Sequence, residues 1–122
     1  MKTRKVFATY DISYLETLKT NPKHRKVSAR LRTFIEKGTT CVRCGLQASY
    51  LSLEITEPQA KSPHLNLYGV KDGKEILFTR DHILPRFWGG SNSLDNSQPM
   101  CFPCNYAKGA TREGEINGEK SC

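Results

Sequence analysis

Helical and strand periodicities follow one another along this chain in an order that predicts an α+β fold. Ile12, Leu15 and Leu18 share one helical face after Asp11, whose carboxylate suits an N-cap, and Asn21-Pro22 ends that pattern near Thr20. Val27, Leu31, Phe34 and Ile35 repeat at helical spacing until Gly38 supplies a C-terminal stop, with Arg30, Arg32 and Lys37 off the apolar stripe. From Ser49 to Ile55 the alternation suits a strand, and a polar loop containing Pro58 and Pro63 follows it. Leu65 to Val70 and Glu75 to Thr79 then flank Lys71-Asp72-Gly73-Lys74, a strong hairpin turn. The second strand of that hairpin runs directly into Asp81-His82, so both side chains stand at the end of a rigid element and point to opposite faces. Beyond Gly109 apolar residues almost vanish, and residues 110–122 read as a frayed tail.

Composition limits what this pattern can build. A chain of 122 residues with an apolar share of 37% has room for one small domain and little hydrophobic core, so something besides burial is needed to hold it together. The formal charge is +7, and residues 1–43 hold eleven of the nineteen Lys/Arg against three of the twelve Asp/Glu. A basic N-terminal third is the electrostatic footprint of a phosphate-backbone binder; its bland counterpart is a charged face kept for solubility. No run of apolar residues approaches a bilayer span, and Met1 to Tyr10 lacks the apolar core of a signal peptide, which predicts a cytoplasmic protein without a membrane partner.

Five cysteines change the picture. Cys41/Cys44 and Cys101/Cys104 form two Cys-x-x-Cys pairs, a spacing that matches tetrahedral thiolate coordination of Zn²⁺, while the disulfide alternative needs an oxidising compartment. Around the first pair, Gly45 allows the tight turn of a zinc knuckle. Joining the two pairs on one ion closes a long loop, a large stabilisation for a small core. Four thiolates leave no open coordination position, so this zinc is structural. Cys122 has no partner at ligand spacing and reads as a free thiol.

A second constellation could carry chemistry. Asp81 and the amide oxygen of Asn105 are hard oxygen ligands suited to Mg²⁺ or Mn²⁺, and the imidazole of His82 could take a proton from an attacking water. Taken singly, an Asp-His pair is a common turn and a lone Asn is common turn chemistry. The ordered set is less ordinary: Asp81-His82, Pro85, Gly89-Gly90, Asn96, and then Cys101-Phe102-Pro103-Cys104-Asn105-Tyr106-Ala107-Lys108-Gly109. In this order residues 41–109 resemble the HNH endonucleases, an HNN-type variant similar to the HNH domains of RNA-guided CRISPR nucleases.

The resemblance implies a small zinc-stabilised ββα-metal, treble-clef-like domain at 39–109, preceded by a basic helical segment at 1–38 and followed by the tail at 110–122. It implies a structural Zn²⁺ on Cys41, Cys44, Cys101 and Cys104, and a catalytic Mg²⁺ or Mn²⁺ on Asp81 and Asn105. His82 would be the general base, and Asn96 the loop residue that holds the strand of the histidine in register. Arg80, Arg86 and Lys108 are candidates for contact with the nucleic-acid backbone, or ordinary surface charge. Phe87, Trp88 and Met100 are expected to pack around the metal loop. The partner implied is duplex DNA, and the source class is that of phages, mobile introns and restriction systems; oligomeric state is not specified.

Two competing readings stand beside a metal-dependent endonuclease. One is a catalytically silent, zinc-stabilised nucleic-acid-binding module, which loss of Asp81, His82 or Asn105 would have favoured. The other is a zinc-ribbon interaction protein whose basic third meets an acidic partner. It leaves the order of the Asp-His, Asn and Asn positions without a reason.

Overall fold

The computed structural model describes residues 3–20, 27–57 and 62–109. Its elements run β1 (Thr3–Asp11), α1 (Tyr14–Thr20), α2 (Ala29–Lys37), β2 (Ala48–Glu57), β3 (His64–Lys71), β4 (Lys74–His82), β5 (Ser97–Cys101) and α3 (Phe102–Lys108). The five strands form one sheet in sequence order, each antiparallel to the next. The architecture is a small α+β fold with a five-stranded antiparallel sheet, three helices and a cysteine cluster. No helix among the described residues is long and apolar enough to cross a membrane.

Local chemistry accounts for most element boundaries. Ser28 caps α2 by accepting from the Leu31 amide, and Gly38 ends it at φ 103° with its own amide returned to the Phe34 carbonyl. Asp72 and Gly73, at φ 53° and 75°, turn β3 into β4 in the two-residue geometry that suits the right-handed twist of both strands. The first helix begins later than its hydrophobic pattern: Asp11 still belongs to β1 and accepts from the Ser13 amide at 2.9 Å.

Two strands depart from the sequence expectation. Where residues 1–38 read as helical, Thr3–Asp11 pair with β2 and extend the same sheet. Their alternation is hard to read because the strand is mostly exposed, Val6 and Phe7 included. β5 contains Pro99, which lacks a donor, and is tolerated because this is an edge strand paired to β4 alone.

The alternation along β4 decides the layers. Phe78 faces α2, where it meets Phe34 edge-to-face at 6.5 Å, within a core that includes Leu15, Leu18, Leu31, Leu51 and Leu67. Thr79 and Asp81, on the other face, hydrogen-bond to Asn105 and Lys108 of α3. The β4–β5 hairpin is therefore held between α2 on one side and α3 on the other. Each large apolar side chain buried here contributes about 1.5–3 kcal/mol, which leaves a small domain dependent on further cross-links.

The exposed end of the sheet uses charge. Glu54, 1% exposed, accepts from Arg4 Nε and Nη2 at 3.1 and 3.0 Å on one oxygen, and from Asn66 Nδ2 and Tyr68 Oη at 3.0 and 2.7 Å on the other. Arg4 also pairs with Glu75 at 2.6 Å. One cation of the basic N-terminal third is thus committed to internal pairing.

Candidate functional site

The cysteine cluster joins the two ends of the central region. Gly45, at φ 82°, closes the first knuckle by donating to the Cys41 carbonyl at 2.9 Å, and the Val42 amide reaches the Pro99 carbonyl at 3.2 Å, tying the knuckle to β5. Cys101 ends β5 and caps α3, and Cys104 lies in the first turn of that helix. All four sulfurs lie within 4.8 Å of one another. A zinc ion with bonds of about 2.3 Å requires sulfur separations of about 3.8 Å at the corners of its tetrahedron. The Cys44 and Cys101 sulfurs are 3.9 Å apart, so the cluster can hold a zinc ion.

Protonation within the cluster is divided. Burial raises the Cys41 thiol, but backbone donation from Cys101, Cys44 and Arg43 outweighs it and the net shift is downward. Burial and the neighbouring thiols of Cys104 and Cys41 push Cys101 upward. Thiols this close, Cys41, Cys101 and Cys104, cannot all ionise without a cation between them, and a bound metal deprotonates its thiol ligands.

The second constellation converges on a cleft of about 290 Å³ lined by Arg80, Asp81, His82, Arg86, Phe87 and Asn105, with Pro85 and Gly109. None of the four cysteines lines it. Asp81 is 5% exposed, and its Oδ2 accepts from Lys108 Nζ at 2.6 Å and from Gln98 Nε2 at 2.8 Å. Lys108 also donates to the His82 carbonyl at 2.8 Å. Lys108, expected among the backbone-contact candidates, is 1% exposed and is spent on Asp81 and the β4 terminus; its long stem lies inside the domain.

His82 faces away from Asp81. Its Nε2 lies 2.8 Å from Asn92 Oδ1 and 3.0 Å from Arg80 Nη2, and Arg80 also donates to Asn92 Oδ1 at 3.2 Å. Nε2 thus stands between an amide oxygen, which only accepts, and a guanidinium, which only donates, so Asn92 and Arg80 hold the ring in place without fixing its tautomer. Arg80 and His82 share this face because they are two apart on β4.

Asn105 projects from α3 and donates through Nδ2 to Thr79 Oγ1 at 2.8 Å. Asn96 binds both backbone groups of Leu84, accepting at 2.9 Å and donating at 3.0 Å, and donates to the Ser91 carbonyl at 2.8 Å. Its own carbonyl accepts from the Ile83 amide at 2.9 Å. The loop after His82 is thus sewn to the segment that precedes β5. Gly90 makes this possible, since a Cβ there would stand 1.7 Å from the Leu84 carbonyl oxygen.

The aromatic residues of the loop divide. Met100 is fully buried, as expected, whereas Phe87 is 83% exposed and Trp88 45% exposed in a short 3₁₀ turn (Arg86–Trp88) beside the cleft. The turn follows Pro85, and the Phe87 ring meets Trp88 edge-to-face at 5.9 Å.

Three further residues bear on the site without having been singled out in the sequence: Thr79, Asn92 and Gln98. Thr79 shares strand parity with Asp81, and Gln98 sits opposite Asp81 in the β4–β5 register. Parity is legible in a sequence once β5 is known; Asn92, in a loop, carries no such signal.

Comparison with known proteins adds one match. No curated protein and no solved structure matches the chain. Residues 69–120 match the family model described as HNH endonuclease. That span takes in β4, the Asn96 loop, β5 and the described part of the α3 region, the ββα unit that carries the cleft and one cysteine pair. Such a domain points to nuclease activity, and it is over residues 69–120 that the chain is similar to the HNH endonucleases.

Proposed function

We propose that this chain is a metal-dependent endonuclease that hydrolyses DNA phosphodiester bonds, with His82 as general base and Asp81 and Asn105 as oxygen ligands of a Mg²⁺ or Mn²⁺ ion. The observation that carries this function is the convergence of Asp81, His82 and Asn105 on one cleft that also contains Arg80 and Arg86. A carboxylate and an amide oxygen are the hard donors such an ion prefers. When bound, the ion supplies charge neutralisation at the phosphate and at the leaving oxygen.

The chain's own residues do the remainder. Arg80 and Arg86 draw a phosphate into the cleft and orient it. The His82 imidazole, held in place by Asn92 and Arg80, takes the proton of a water aligned with the phosphorus. Asn96 holds the loop that follows His82 against the segment before β5. The cysteine cluster, with a zinc ion, stays outside the reaction because its thiolates fill a tetrahedral shell. Duplex DNA is the substrate we favour, on the charge of the chain and the family of residues 69–120.

A second function is favoured by one observation. Asp81 already holds a buried ammonium, that of Lys108, so its charge is balanced without a metal ion. A zinc-stabilised module that binds nucleic acid and does not cut it would carry the same pair. Incubation of supercoiled plasmid with purified protein and Mg²⁺ or Mn²⁺, beside EDTA controls and a His82→Ala variant that retains its zinc, separates the two. Metal-dependent nicking or linearisation that the variant loses supports the endonuclease. Binding without cleavage across metals and substrates supports the module.

A further inference from the structure

An asparagine can serve a cation only through the oxygen end of its amide, and the two ends differ little in size. What surrounds Asn105 therefore matters as much as its identity. Thr79 Oγ1 lies 2.7 Å from the Met100 carbonyl oxygen. Two oxygens at that distance share a proton, and the carbonyl has none to give, so the Thr79 hydroxyl donates to Met100. With its one proton spent, Oγ1 can only accept on its other side. Asn105 Nδ2 stands there at 2.8 Å. An amide oxygen in that place would set lone pair against lone pair.

From this relay we infer that Thr79 is a positioning residue: its hydroxyl, ordered by the Met100 carbonyl, selects the amide orientation in which Asn105 offers Oδ1 rather than its N–H₂ group to a divalent cation in the cleft. The inference rests on the proposed role of Asn105 as a ligand. Thr79 and Asp81 occupy the same face of β4, so one strand braces the amide directly and the carboxylate through its own register with Gln98. The relay spans β4, β5 and α3 and is indifferent to which nucleic acid is bound.

The test compares zinc-loaded full-length proteins by Mn²⁺ titration, followed by electron paramagnetic resonance of the free ion, without nucleic acid. Thr79→Ser keeps the hydroxyl and should bind as wild type does, Asn105→Ala should lose the site, and Thr79→Val, of similar shape without the hydroxyl, should bind about fivefold or more weakly. Asn105→Asp supplies the control for orientation, because a carboxylate presents oxygen at both ends. Thr79→Val should cost Mn²⁺ affinity in the Asn105 background and little in the Asn105→Asp background. Equal losses in both backgrounds, or none in either, would overturn the positioning role while leaving Asn105 as a ligand. Wild-type Mn²⁺ binding by Asn105→Ala would overturn the ligand role and the inference with it. Thr79→Ala, checked for zinc content and helical circular dichroism, replaces the valine variant if that one does not fold. In cleavage assays the loss should appear as a raised Mg²⁺ requirement, with the rate recovering at saturating metal.

Discussion

Lys108 Nζ and Asp81 Oδ2 lie 2.6 Å apart with both side chains buried, so helix α3 is locked to the carboxylate at the head of the candidate cleft. Removing one member of a buried pair leaves the other charged and unsatisfied, at a cost of about 3–5 kcal/mol. Lys108→Met should therefore destabilise the protein strongly in urea titrations, and Asp81→Asn in the same background should recover part of the loss. Additive losses in this double-mutant cycle would show that the two groups do not interact.

The sulfur cluster predicts metal dependence of the fold. Purified protein should contain about one zinc per chain, and Cys41→Ser or Cys104→Ser should lose zinc and unfold or aggregate. Binding to such a site is itself folding free energy. A stable zinc-free protein would refute a structural role. Asp81→Ala and Asn105→Ala should leave zinc content unchanged, because neither residue is one of the four sulfur ligands.

The two glycines of the loop are not equivalent. Gly89 adopts φ 92° with open space beside it, and alanine there should cost about 1–2 kcal/mol in backbone strain. Gly90 abuts the Leu84 carbonyl that Asn96 binds, so Gly90→Ala must push the loop off Asn96. The expected result is a small change in thermal midpoint for Gly89→Ala and a larger one for Gly90→Ala, accompanied by loss of any cleavage. Asn96→Ala should resemble Gly90→Ala.

Acid should weaken the β1–β3 end of the sheet. Burial raises the Glu54 carboxyl, but hydrogen bonds from Tyr68, Asn66 and Arg4 outweigh it and hold the group below the usual glutamate range. A depressed carboxylate contributes stability that is present above its unfolded pKa and is lost as pH falls through the folded one. Unfolding midpoints should accordingly decline on the acid side of the ordinary glutamate range, and Glu54→Gln should flatten that decline while lowering stability near neutrality. The same cluster pushes the Tyr68 phenol up to about 12, through burial first and the hydrogen bond to Glu54 second.

Phe87 stands beside two arginines at the cleft with 83% of its surface exposed. Truncating it removes little packing, so Phe87→Ala should keep the wild-type melting temperature. If the cleft receives nucleic acid, loss of an aromatic contact is worth about 1–3 kcal/mol per stacked base, and the variant should bind DNA about tenfold more weakly in fluorescence anisotropy. Unchanged binding would make the ring incidental.

Features encoded over a few neighbouring residues were legible without a structure. Helix α2 follows from the apolar spacing of Leu31 and Phe34 and the Gly38 stop, and the β3–β4 turn from Asp72-Gly73. The paired Cys-x-x-Cys motifs announce a cluster whose sulfurs do meet. The order of Asp81, His82, Asn96 and Asn105 marks the HNH resemblance, and the family match over residues 69–120 agrees with it. In each case the information is a spacing, and local backbone geometry converts spacing into position.

Tertiary structure alone decided which atoms touch. That Lys108 turns inward to Asp81, that Arg4 is spent on Glu54 and Glu75, and that Thr79 faces Asn105 depend on the register of β4 with β5 and on the docking of α3. Strands β1 and β5 belong to the same category, one too exposed to show alternation and the other interrupted by Pro99. Residues separated by 26 positions share no local pattern; their contact exists because antiparallel pairing and helix packing bring two faces together, and a one-residue slip in that pairing would turn every such side chain to the other face.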